Sequence, residues 1–93
     1  LTLPVRFSRA SQADRERLAA FLARNSPQAA EDAADAITTA IARLGAFPML
    51  GRSVASGDRE LSVKFGKAGY IVRYRIDPDA VVVARIFHML EHR

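Results

Sequence analysis

The side chains best able to handle a phosphate or a proton are Lys64, Arg73, Arg75, Arg85 and His88, all in the last third of the chain. An imidazole can serve as acid or base, and cations around it can stabilise developing negative charge. Plainer roles compete. Arginines on an exposed strand keep it soluble, and a histidine closing a strand is often a structural hydrogen bonder. With no cysteine and only two histidines, His88 and His92, the usual zinc frameworks are ruled out. No metal and no cofactor are expected.

These residues must be placed by the stretch Arg59–His88, which reads as three strands joined by tight turns. Leu61, Val63 and Phe65 alternate with polar residues over Arg59–Phe65. Gly66-Lys67-Ala68-Gly69 follows as a turn, because glycine takes positive φ cheaply. The second strand is Tyr70–Ile76, stopped by Asp77-Pro78-Asp79, where proline presets φ. The third, Val81–Phe87, is rich in β-branched residues. Short connections make the three an antiparallel meander.

Strict alternation gives the meander two unlike faces. Leu61, Val63, Phe65, Tyr70, Val72, Tyr74, Ile76, Val82, Ala84 and Ile86 form an apolar face that wants a core. The other carries Glu60, Ser62, Lys64, Ile71, Arg73, Arg75, Val81, Val83, Arg85 and Phe87. A merely solvated face would not keep Ile71, Val81, Val83 and Phe87, so this one is expected to meet a partner. A helix of the same chain laid over it, or a register slip of one residue, would remove that reading. By the same alternation His88 falls with Val82, Ala84 and Ile86, on the core side.

Upstream, Leu3–Ser8 reads as a short strand, with Pro4 marking a sheet edge. Ser11–Arg24 reads as a helix with Ser11 as N-cap and Leu18, Phe21 and Leu22 on its apolar stripe. Asn25-Ser26-Pro27 ends it. Ser26 caps a second helix, Pro27–Ala46, with Pro27 at the first position and Ala30, Ala33, Ala34, Ile37, Ala40, Ile41 and Leu44 on one face. That alanine stripe reads as core packing rather than a ligand surface. The two helices form an antiparallel hairpin. Phe47-Pro48 leaves the helix, and the polar segment Ser53–Asp58 reads as a mobile loop. The order is β-α-α-β-β-β, a two-layer α+β domain with the hairpin packed on the apolar sheet face.

Ninety-three residues make one small domain, 1–93. No apolar run approaches the roughly 20 residues that span a bilayer, and the first residues, LTLPVRFS, do not resemble a signal peptide. Lack of cysteine suits a reducing cytoplasm. The net charge of +4 is uneven: residues 52–93 hold eight Lys/Arg against five Asp/Glu. That permits an acidic partner without specifying nucleic acid.

In order along the chain stand the alanine-rich helix after Ser26-Pro27, Leu44 with Phe47-Pro48 and Gly51, Arg59-Glu60-Leu61, Tyr70 with Tyr74-Arg75-Ile76, and Val83 with Arg85-Ile86 and His88. This set resembles the ParE-type toxins of the RelE/ParE superfamily, the toxic halves of bacterial type II toxin–antitoxin modules, over nearly the whole chain. The resemblance implies the same β-α-α-β-β-β fold and two possible activities. RelE-like members are ribosome-dependent endoribonucleases that cut mRNA; ParE-like members inhibit DNA gyrase. Both are neutralised, in a hetero-oligomeric complex, by an antitoxin whose disordered C-terminal segment folds across the toxin's sheet and helices.

For a nuclease the carried-over residues are His88 as acid or base, with Lys64, Arg73, Arg75 and Arg85 around the phosphate. Two departures favour the ParE-like branch. Tyr70 and Ile71 stand where the nucleases place arginine, and no tyrosine follows His88 in Met89-Leu90-Glu91-His92-Arg93. The expected antitoxin seat is Ile71, Arg73, Arg75, Val81, Val83 and Phe87. The expected gyrase contacts are Arg85, His88 and Arg93, in the polar C-terminal segment. A ribosome and mRNA target, or a non-toxic binding-only protein, are the alternatives.

Overall fold

The computed structural model describes residues 2–91. The chain runs β1 (Val5–Phe7), α1 (Arg9–Ala23), α2 (Pro27–Ala46), a 3-10 turn (Pro48–Leu50), β2 (Arg52–Ser53), β3 (Arg59–Phe65), β4 (Ala68–Ile76) and β5 (Val81–His88). The predicted α+β order is therefore present, with the two-residue β2 added where a loop was expected. Val54 N–H donates to the Asp58 carbonyl at 2.9 Å, so that segment turns tightly between β2 and β3.

The helix bounds follow from their caps. Ser26 accepts the Ala29 N–H at 3.1 Å, and α2 has the limits its sequence predicts. In α1 the cap is Ser8 rather than Ser11. The Ser8 hydroxyl accepts the Ser11 N–H at 3.0 Å and donates to the Ala84 carbonyl at 2.7 Å. That second bond, to a strand 76 residues away, decides which serine starts the helix.

The sheet order is β1-β5-β4-β3-β2, and β1 lies parallel to β5. The sheet is thus mixed rather than wholly antiparallel. The two helices deliver β2 running against β1, and three successive antiparallel pairings then bring β5 back into the direction of β1. Both helices pack on one face. Leu18, Ala33, Ile37, Ile41 and Leu44 meet Val63, Tyr70, Val72, Tyr74, Val81, Val83 and Ile86 in one core.

Two backbone features hold this arrangement. Gly69 has φ of 147° inside β4, and a Cβ there would run into the Val63 carbonyl, so glycine is required. Tyr74 is wholly buried; its hydroxyl donates to the Pro48 carbonyl at 2.6 Å and accepts the Gly51 N–H at 2.8 Å. It thereby ties the end of α2 to the sheet. Tyr74→Phe should cost about 1–3 kcal/mol, because the Gly51 N–H loses its acceptor in a buried position. A urea midpoint equal to that of the unsubstituted protein would contradict this role.

β4 and β5 do not keep one register. Arg73 pairs with Arg85, but Tyr74 pairs with Val83, leaving Ala84 as the extra residue of a β-bulge. The bulge reverses the in/out alternation of β5 before Ala84. Val81 and Val83 point into the core and are 0% exposed, and Val82 takes the outer face. Their predicted place on the open face is thereby corrected. No helix of the described residues is long and apolar enough to cross a membrane.

Candidate functional site

The outer face of the sheet carries a charged rung that crosses four strands. Arg52 pairs in register with Glu60, Glu60 with Arg73, and Arg73 with Arg85. Asp14 of α1 completes the row beyond β5. Glu60 accepts from Arg52 at 3.1 Å and from Nε and Nη2 of Arg73 at 3.1 and 2.6 Å. Asp14 accepts from Nε and Nη2 of Arg85 at 2.8 and 3.0 Å.

Asp14 does more than pair. Past Phe7, β1 has ended and β5 has an unpaired edge; Asp14 accepts the Ile86 N–H there at 2.8 Å. Arg17 adds a longer contact at 3.4 Å. Burial pushes the Asp14 carboxyl up, but the bonds from Arg85, Ile86 and Arg17 outweigh it and hold the group below its usual range. The same pairing raises Arg85.

Beside this rung lies an apolar strip. Ser62, Ile71 and Phe87 form the next row, and Arg75 and Val82 share another. The Phe87 ring is in contact with two guanidinium groups, Arg73 at 5.5 Å and Arg85 at 5.1 Å from its centroid. Ile71, Val82 and Phe87 are half-buried, with no helix over them. Arg75 is exposed and bonded to Asp77 at 3.0 Å.

The expected nuclease set is not brought together. His88 pairs with Tyr70 on the helix-covered side, its ring edge-on to Tyr70 at 5.4 Å. Its Nδ1 accepts the Leu90 N–H at 3.1 Å. Arg73 and Arg85 are on the opposite face, and Lys64 sits at the hairpin end of β3 opposite Gly69. His88 and Arg85 thus belong to different faces. Glu91 fastens the C-terminal turn to α1 through Arg17 at 2.9 and 3.0 Å and accepts the His88 N–H at 2.9 Å. Burial raises the Glu91 carboxyl, but these partners lower it further. Arg93, with His92, lies outside the described residues. No group of three His, Cys, Asp or Glu among the described residues is placed to hold a metal ion.

A concavity of about 430 Å³ opens between α1 and α2. Leu18, Leu22, Ala30, Ala33, Ile37 and Tyr70 contribute to its lining. The alanine stripe of α2 therefore serves both the core, through Ala33, and this groove, through Ala30 and Ala34.

Sequence reasoning missed Asp14, put Val82 on the core face and gave Glu60 no role in a site. Asp14 had a readable signal: Ser11, Asp14 and Leu18 share the inward face of α1, and a carboxylate there must find buried partners. Val82 had none, since three successive valines read alike in either register.

Residues 5–92 match the model of the family described as ParE toxin of type II toxin-antitoxin system, parDE. The chain is 44% identical over 80 residues to Toxin RelE3 of Caulobacter vibrioides, covering 86% of this chain and 87% of that one. It is 37% identical to Toxin RelE1 of the same organism over the full length of both. Among solved structures it resembles a chain of the chromosomal ParDE system from P. aeruginosa, with TM-score 0.78, 20% identity and coverage of 94% and 96%. It also resembles a chain of the RelBE2 toxin–antitoxin complex of Mycobacterium tuberculosis, with TM-score 0.65, 23% identity and coverage of 95% and 99%. At these identities the two structures attest the fold.

Proposed function

The chain belongs to the ParE toxin family of type II toxin–antitoxin systems, and from that premise we propose that it is a one-domain, cytoplasmic poison of DNA gyrase. It is held inactive by a ParD-like antitoxin whose C-terminal segment lies on the open sheet face and continues into the groove between α1 and α2. The observation carrying this reading is the outer face itself: an apolar strip of Ile71, Val82 and Phe87 beside arginines. Apolar anchors supply affinity, and the arginines select an acidic segment that orders on binding.

Gyrase is preferred to RNA because His88, the one described histidine, packs beneath the sheet while Arg73 and Arg85 stand above it. The C-terminal segment from Arg85, where Leu90 is exposed, is the proposed gyrase contact. In a test, the purified chain should inhibit supercoiling by gyrase, and its induction without antitoxin should cause a DNA-damage response and filamentation.

The names of the Caulobacter relatives, RelE3 and RelE1, favour a second reading, a ribosome-dependent mRNA endoribonuclease. On that reading His88→Ala abolishes cleavage of translated message. On ours it leaves toxicity in place, and no cleavage is seen with the unsubstituted protein. Immediate translation arrest with cut message would overturn the gyrase assignment.

A further inference from the structure

Arg73 and Arg85 are direct cross-strand neighbours, an arrangement that like charges ordinarily disfavour. They are nonetheless drawn together against one ring, Phe87. The reason is the carboxylate on the outer side of each. Glu60 engages Arg73 and Asp14 engages Arg85, both through Nε and Nη2. Such side-on pairing does not use Nη1, whose donors lie at the far end of the fork. The side chains of Asp14 and Glu60 are 5% and 4% exposed, whereas those of Arg85 and Arg73 are 45% and 31% exposed. The anions are therefore buried beneath cations that reach solvent.

We infer that Asp14 and Glu60 are positioning residues that preset Arg73 and Arg85 as a two-arginine clamp for a carboxylate side chain of the antitoxin, with Phe87 as its apolar floor. This rests on the open face being the antitoxin seat. Without the two braces, both long side chains must be ordered during binding, and that ordering costs affinity.

The test turns on a sign. Asp14→Asn with Glu60→Gln makes the face more cationic. If summed charge governed binding, an acidic partner would bind this variant more tightly. Because geometry governs it, the variant should bind about tenfold more weakly, through faster dissociation with association no slower. The probe is the small protein encoded beside the toxin gene whose co-expression restores growth, titrated against the full chain at physiological salt. Equal or tighter binding overturns the clamp. Arg73→Ala with Arg85→Ala isolates the underlying reading: unchanged affinity there refutes the seat itself, whereas weakened affinity beside an unaffected Asn/Gln variant refutes only the braces. Should the Asn/Gln variant not fold, proton exchange at arginine Nε in the unsubstituted protein decides. Arg73 and Arg85 should exchange more slowly than Arg43, exposed on α2; equal rates overturn the proposal.

Discussion

Asp14→Ala should destabilise the fold by about 1–3 kcal/mol, chiefly the cost of leaving the buried Ile86 N–H without an acceptor, since the Arg85 guanidinium it also releases is half-exposed. The site shows why the loss is large. One carboxylate satisfies both Arg85 and the backbone N–H of Ile86, and it does so where β1 is too short to cover β5. Alanine leaves a buried donor unpaired, an arginine without its counter-charge and a strand edge unsealed. For a domain whose total stability is of order 5–15 kcal/mol, that is a substantial part. Chemical denaturation at neutral pH reads it directly, and a loss under about 1 kcal/mol would remove Asp14 from this role.

The same residue sets a pH dependence. Its carboxyl is lowered in the folded chain, so the folded state binds its proton less readily than the unfolded one. The stabilisation is complete above the unfolded aspartate value, about 4, and fades as pH falls through the lower folded value. Glu91 is shifted the same way and adds a smaller contribution, because its pair with Arg17 is half-exposed. Stability measured from pH 6 down to pH 2 should therefore fall in the acid limb for the unsubstituted chain. The slope should be shallower for Asp14→Ala.

Ile71→Ala with Phe87→Ala should weaken the antitoxin complex by about 2–4 kcal/mol, or roughly 30- to 1000-fold in Kd. Both side chains lie on the face away from the helices and in one row, so a partner crossing the sheet there must meet both. Their removal takes little from the toxin's own core, which lies on the other side, and should change stability by about 1 kcal/mol. The two readouts must therefore separate: folding nearly kept, binding largely lost. In growing cells the variant should stay toxic when its antitoxin is co-expressed. An unchanged Kd would mean that the antitoxin uses some other surface, with the groove between α1 and α2 the next place to look.

Much of the architecture was legible because its signals are local. Ser26-Pro27 and the periodic apolar positions through Leu44 fix α2 within a few residues of chain. Turn residues separate three alternating strands, and the apolar face of β3 and β4 follows from their own alternation. The family resemblance added the toxin class and an antitoxin partner to look for.

Tertiary structure decided what depends on residues distant in sequence. The parallel pairing of β1 with β5 joins segments separated by both helices and three strands. The Ala84 bulge turns Val81 and Val83 inward, and no sequence signal marks it, because Val81-Val82-Val83 alternates nothing. Its register is held on one side by Tyr74, anchored through Pro48 and Gly51, and on the other by Ser8 and Asp14 of the α1 region. Local propensity sets which segments become helix or strand. Long-range hydrogen bonds to a strand edge set which side of that strand faces a partner.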